Sequence, residues 1–147
     1  MSRSKLYLWG ARSLVAIVLF LNLQASFLFW VFPSNYSQSF ELQGIIGDTI
    51  IRALAVLFLM WNIPYIFAAA HPIRHRTSLL EAIIMQVIGV VGETAIGLQL
   101  PEQFMILRHS IQRFILFDSM GFILLMLALS LTHNCIKQSN SQFLKEN

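Results

Sequence analysis

Residues 13–32, SLVAIVLFLNLQASFLFWVF, contain no charged side chain. A helix needs about 20 apolar residues to cross the hydrocarbon core of a bilayer, and this stretch has that length. It ends in aromatic and apolar residues before Pro33, where a signal peptide would carry small residues at a cleavage site. We therefore predict that this first apolar segment is retained as a transmembrane helix.

Three further segments have the same length and apolar character: 51–70, 79–98 and 114–132. Over the whole chain 56% of residues are hydrophobic and 12% are charged, against about 25% charged in an average soluble domain. A soluble protein of this size has no means of covering so much apolar surface. We predict an all-α integral membrane four-helix bundle, with one transmembrane domain over residues 1–147 and a polar tail, 134–147, that frays.

The connections between the spans carry the topology signals. Cytoplasmic loops are enriched in Lys and Arg, and an N-terminus on the inside places seven of the 10 Lys and Arg residues on the inner side. The clearest marker is the short basic turn HPIRHR at 71–76. We predict that both termini face the cytoplasm (N-in/C-in) in a multi-pass protein of the cell membrane, the inner membrane if the source is bacterial. In the outer loop, 33–50, the apolar residues Phe40 and Ile46 favour a short helical turn on the membrane surface.

Span three has an uneven distribution of polar residues. At 100° per residue, about half of its circumference is occupied by Glu81, Met85, Gln86, Gly89, Gly92, Glu93 and Gly97. The other half, which includes Ile83 and Val87, is predicted to face lipid. Glycines allow neighbouring helices in a membrane to approach closely, so tight packing with hydrogen-bonded polar groups is one interpretation of this face. A binding site is the other.

Glu93 and Asp118 are the intramembrane residues most suggestive of function. Ionisable side chains in a bilayer are expensive and usually face a partner helix or a cavity. Since span four runs opposite to span three, Asp118 is expected at a depth similar to that of Glu93. The pair is predicted either to form ion pairs with the outer-side arginines Arg52, Arg108 and Arg113, or to form a ligand, cation or proton site. Asp118 is also near its helix N-terminus, where the helix dipole favours a carboxylate.

Two amides, Asn22 and Asn62, fall near the middle of spans one and two. Pro64 has no N–H and is expected to kink span two near Asn62, which frees a carbonyl for a side chain or water. Arg52 lies on the same predicted inward stripe as Asn62. These amides favour either packing through inter-helix hydrogen bonds or a pocket. The candidate ligand or proton-site residues are Glu93, Asp118, Gln86, Asn22, Asn62 and Arg52.

No motif in the chain indicates catalysis, and we predict no cofactor and no catalytic residue. His71 and His75 are four residues apart, but Pro72 makes a continuous helix through them improbable and no thiolate or carboxylate cluster accompanies them, so no metal site is predicted. The excess of basic residues lies in loops and tails, which is a topology signal and indicates no nucleic-acid partner.

The organisation resembles that of DoxX-like small membrane proteins with four transmembrane helices. The resemblance rests on size, four spans, a long first outer loop and the basic turn 71–76, followed by Ser78-Leu79-Leu80-Glu81 at the start of span three. It implies the four-helix fold and, for some members, a link to quinone or thiol redox chemistry and to oxidoreductase complexes. This chain has a single cysteine, Cys135, and so has no thiol pair of its own.

Three classes of function follow as hypotheses. The first is a non-enzymatic accessory or assembly component of a membrane complex, which accounts for the lack of catalytic motifs and the small loops. The second is a binding or transport module for a lipid-like molecule, a cation or a proton. The third is a component of a quinone- or lipid-linked membrane oxidoreductase. The expected partners are the lipid bilayer and either a membrane protein or a second copy of the chain.

Overall fold

The computed structural model describes the backbone of residues 3–146 and the side chains of residues 3–138, and every regular element in that range is helical. Four helical units are long and apolar enough to cross a membrane: Arg3–Val31, Gly44–Ala70, Arg76–Gln99 and Met105–Gln138. The predicted all-helical architecture with four candidate spans is confirmed. The orientation of the bundle stays a prediction, and the end that carries the 33–50 loop is called the outer end on that basis.

The helices extend beyond the spans predicted from hydrophobicity. In chain order they are α1 (Arg3–Val31), α2 (Pro33–Ser37), a 3-10 turn (Gln38–Phe40), α3 (Gly44–Trp61), α4 (Ile63–Ala70), α5 (Arg76–Gln99) and α6 (Met105–Glu146). The polar tail predicted to fray is part of α6, which continues as helix to Glu146. Hydrophobicity marks the part of a helix that fits a bilayer, whereas the backbone hydrogen bonding continues into the polar flanks.

The outer loop folds back onto the bundle. Pro33 opens α2, a position that requires no N–H donor. Asp48 of α3 accepts hydrogen bonds from the hydroxyls of Ser34 (2.7 Å) and Ser37 (3.1 Å). Phe40, which was predicted to lie on the membrane surface, packs against Phe114 of α6, with ring centroids 5.7 Å apart. A helical turn is present at Gln38–Phe40, with the Phe40 ring partly buried against α6, and its location on a membrane surface stays a prediction.

The second span is broken at Asn62, as Pro64 predicts. The Asn62 N–H bonds to the carbonyls of Leu59 and Met60 in place of the regular α-helical acceptor, Phe58. The Asn62 side-chain Nδ2 then donates to the freed Phe58 carbonyl at 2.7 Å. Pro64 supplies no N–H to the Met60 carbonyl, which accepts from the Asn62 backbone N–H instead, while the Asn62 side chain satisfies the Phe58 carbonyl.

The main core lies in the inner half of the bundle, where all four spans meet. Its buried members are Ala11, Val15, Val18, Tyr65, Ala68, Leu79, Ala82, Ile83, Leu125 and Ala128. Ile83, predicted to face lipid, is buried, whereas Glu81, predicted on the inward face, is exposed. The periodicity located the polar face of α5 correctly near Gln86, but α4 covers the neighbouring face at the inner end and thereby buries Ile83.

The helices separate towards the outer end. Helix α1 packs against α3, α4 and α6, while α5 packs against α6 and, at the inner end, against α4. Helices α3 and α5 have no extensive close backbone contact. This arrangement leaves an opening between the outer halves of the second and third spans, and the candidate site lies there.

Candidate ligand-binding cavity

A cavity of about 400 Å³ occupies the opening between the second and third spans. Its residues come from all four spans: Asn22 of α1, Phe58 and Trp61 of α3, Tyr65 of α4, Met85, Gln86, Ile88, Gly89, Gly92, Glu93 and Ile96 of α5, and Asp118 of α6. Ligand pockets in proteins commonly enclose about 300–1,000 Å³. The volume is therefore sufficient for a small molecule or for part of a larger amphipathic one.

Asp118 is fixed in the cavity by Gln86. In the amide orientation that satisfies both ends of its side chain, Gln86 donates to Asp118 Oδ1 at 2.9 Å and to the Asp118 carbonyl at 3.2 Å. The Gln86 carbonyl oxygen accepts a hydrogen bond from the Tyr65 hydroxyl at 3.1 Å. Tyr65 is buried and Gln86 is only 3% exposed, so this network links α4, α5 and α6 away from solvent.

Two glycines make room for this network. A Cβ atom added to Gly89 of α5 would overlap the Asp118 carboxylate, and one added to Gly121 of α6 would lie 2.8 Å from Cδ of Gln86. Gly92, one turn further along α5, has no such neighbour within 4 Å. Gly89 therefore has a packing role specific to Asp118, whereas Gly92 borders the open cavity.

Among the residues that the structure describes, Glu93 has no partner that balances its charge. Its Oε2 atom is buried and, in the described part of the chain, has no hydrogen-bond partner. Asp118 lines the same cavity as Glu93. Because both groups are acidic, neither neutralises the other, and two negative charges in a site with little water repel each other strongly. The cavity therefore favours a bound cation or proton.

The ion pairs proposed from the sequence do not form in the described structure. Arg108 donates to the backbone carbonyl of Leu100 at 2.8 Å. Arg113 lines a different cavity, and Arg52 is exposed on α3. Among residues 3–138, no arginine side chain is placed to neutralise Glu93. The interpretation of Glu93 as a structural salt-bridge residue is therefore wrong for this arrangement.

The structure brings together four of the six candidate residues: Glu93, Asp118, Gln86 and Asn22. Asn22 is 7% exposed and lines the cavity together with Tyr65. The other two candidates lie elsewhere. Asn62 is buried at the helix break, where it stabilises the backbone. Arg52 is exposed and does not line the cavity, because the buried face at the start of α3 is formed by Gly47, Ile51 and Ala55.

Three aromatic side chains were missed as site residues: Phe58, Trp61 and Tyr65. They occur at spacings of three and four residues, which places them on one side of a helix. They line the same cavity as Gly89, Gly92 and Glu93 of α5. The spacing is visible in the sequence, but aromatic residues in a span are usually packing residues, and only the gap beside α5 shows that they border a cavity.

The combination of groups matches the chemistry of an organic ammonium ion. The faces of aromatic rings attract cations, and quaternary ammonium groups are bound in this way by aromatic cages. The carboxylates supply the opposite charge. A hard metal ion such as Ca²⁺ takes 6–8 oxygen ligands, and the mixed aromatic and aliphatic walls of this cavity suit an apolar body better than such a coordination shell.

Comparison with protein-family models, with curated proteins and with solved structures finds no match. The resemblance to DoxX-like proteins therefore stays a prediction, and the function must be argued from the geometry of the site.

Proposed function

We propose that this protein binds an amphipathic organic cation, an ammonium group attached to an apolar body, within the plane of the membrane. The observation that carries the proposal is the cavity that is lined both by the carboxylates of Glu93 and Asp118 and by the rings of Phe58, Trp61 and Tyr65. The ammonium group would lie between the carboxylates and the rings. Its single positive charge would offset the charge of one carboxylate, and no basic side chain among the described residues is hydrogen-bonded to Glu93 Oε2.

The opening between α3 and α5 supports lateral entry from the bilayer. Trp61 at one rim is 49% exposed and Ile88 at the other is 64% exposed. A ligand with an apolar body partitions into the bilayer first, because each buried methylene contributes about 0.8 kcal/mol. It would then reach the cavity sideways without crossing the packed inner half of the bundle.

Packing alone accounts for only part of this site. A well-packed helix interface fills its gaps, and buried polar groups normally have hydrogen-bond partners. The Tyr65–Gln86–Asp118 network meets that expectation. The Glu93 side chain does not, although it borders the same cavity. Structural packing therefore explains Gln86 and Asp118, and ligand binding is the function that also explains Glu93.

The other two hypotheses from the sequence, an accessory component and an oxidoreductase component, each predict a different experimental result. An accessory component of a membrane complex would be recovered with a stoichiometric partner after gentle extraction, as measured by native mass spectrometry. An oxidoreductase component would have to turn over a quinone or lipid together with an electron donor. No contact in the described structure favours either hypothesis over ligand binding.

Fluorescence of Trp61 provides the experiment that tests the proposal. Trp9 and Trp30 are both 55% exposed, so replacing them with Phe leaves Trp61 as the single reporter on the cavity rim. We expect a nitroxide-labelled dodecyl ammonium to quench Trp61 saturably, and unlabelled dodecyltrimethylammonium to reverse the quenching. Dodecanol, which has the same chain without the charge, should compete poorly. Equal competition by dodecanol would contradict an ammonium site.

A further inference from the structure

A second cavity, of about 440 Å³, lies at the outer end between α1, α6 and the folded outer loop. Arg113 of α6 is the only charged residue among its described lining residues. The walls are largely aromatic, with Phe29, Tyr36 and Phe114 among the rings that border it. This cavity thus combines a single positive charge with an apolar interior, which is the opposite charge pattern to that of the Glu93–Asp118 cavity.

We propose that this outer cavity binds an amphipathic anion, a carboxylate or phosphate head on a single apolar body. The proposal does not depend on the ammonium site. Arg113 forms no ion pair with any side chain of residues 3–138. A guanidinium binds carboxylate and phosphate groups with two parallel hydrogen bonds. An anionic head beside Arg113 would therefore be held both by the opposite charge and by well-aligned hydrogen bonds. The apolar body would lie among the rings.

The aromatic walls are fixed by mutual packing. Phe29 contacts Tyr36 with ring centroids 4.6 Å apart and Phe58 with centroids 5.7 Å apart. Phe114 contacts Phe29 at 6.3 Å. Rings held by several neighbours lose little further conformational freedom when a ligand binds, which lowers the entropic cost of binding.

The outer loop is also held in place over the cavity. The Ser110 hydroxyl of α6 donates to the backbone carbonyl of Ser39. At the other end of the loop, Asp48 accepts from Ser34 and Ser37. The loop is therefore attached to both α6 and α3, and the cavity beneath it is a feature of the folded chain.

Phe58 borders both cavities, so the two sites must be separated experimentally. The test uses the full-length chain in nanodiscs of zwitterionic lipid and a diazirine analogue of dodecanoate, with photoadducts located by mass spectrometry. Unlabelled dodecanoate is then titrated as competitor. We expect adducts on the outer loop around Tyr36 and on α6 around Phe114, and we expect saturable displacement.

Arg113→Gln should raise the dodecanoate concentration for half-displacement about tenfold, the change expected when a charge-assisted contact of about 1.4 kcal/mol is lost. Arg52→Gln is the matched control, because Arg52 is also an exposed outer-end arginine but lies outside the cavity. Equal losses for the two variants would mean that any outer positive charge attracts the anion, and the proposed site would be wrong.

A second variant protects the test against misfolding. Ala25 of α1 lines only the outer cavity, and Ala25→Phe should fill it. We expect that variant to lose dodecanoate labelling while it retains the thermal-unfolding midpoint of the wild type. Labelling that persists in Ala25→Phe, or adducts confined to lipid-facing residues outside the cavity, would overturn the anion site and leave the ammonium site unaffected.

Discussion

The side chain of Gln86 links the Tyr65 hydroxyl to the Asp118 carboxylate. Three of the helices that surround the acidic cavity are thereby connected by side chains that are mostly buried. Gln86→Leu keeps a similar volume but removes all three hydrogen bonds of the Gln86 side chain and leaves the Asp118 carboxylate without its Gln86 donor. An unsatisfied buried polar group costs about 1–3 kcal/mol, so we expect a clearly lower thermal-unfolding midpoint in detergent.

The matched control for that substitution is Gln24→Leu, because Gln24 is exposed on α1. We expect its midpoint to stay near that of the wild type. If both glutamine variants unfolded at the wild-type temperature, the Tyr65–Gln86–Asp118 network would have no measurable effect on stability.

Gly89 and Gly92 should respond differently to the same substitution. Gly89→Ala places a methyl group on the Asp118 carboxylate and should destabilise the fold by about 1–3 kcal/mol through overpacking. Gly92→Ala has open space and should be neutral or slightly stabilising, since alanine is the better helix former by about 1 kcal/mol. Thermal unfolding of the two variants measures this contrast. Equal stabilities would contradict the close approach of α5 and α6 at Gly89.

The break in the second span yields a test by double mutation. Asn62→Leu removes the donor to the Phe58 carbonyl and should cost about 1–3 kcal/mol. Pro64→Ala restores an N–H and favours a regular helix, in which the backbone N–H of residue 62 returns to the Phe58 carbonyl. The double variant should therefore be more stable than Asn62→Leu alone. Additive losses would show that the two residues act independently.

The aromatic wall should matter for charged ligands only. Trp61→Leu removes a ring from the cavity, and a cation–π contact contributes about 0.5–2 kcal/mol. We expect weaker binding of tritiated dodecyltrimethylammonium with little change for dodecanol. Trp30→Leu, at an exposed position outside this cavity, is the control. A similar loss for both ligands would assign Trp61 a purely apolar role.

The sequence predicted the four spans because hydrophobicity and helix length are local properties, and it predicted the break at Asn62 because proline acts on its own helix. It also grouped Gln86 and Glu93 on one face of α5. It did not predict that α3 and α5 separate, which depends on packing among all four spans. For that reason Arg52 was assigned to the site, and Phe58 and Trp61 were not.

The predicted ion pairs of Glu93 also depended on packing that the sequence does not reveal. Sequence order placed three arginines on the side of the bundle where Glu93 lies, which made ion pairs a reasonable hypothesis. Whether a guanidinium reaches a carboxylate depends on the rotation of each helix. In the folded chain Arg108 binds the Leu100 carbonyl instead.

Direct binding of tritiated dodecyltrimethylammonium to the detergent-solubilised chain tests the central claim most directly. Glu93→Gln is compared with Glu81→Gln, which removes a carboxylate from an exposed position of the same helix. The account predicts at least about a tenfold loss of affinity for Glu93→Gln, wild-type binding for Glu81→Gln, and unchanged folding for both. Wild-type ammonium binding by a folded Glu93→Gln variant would contradict it.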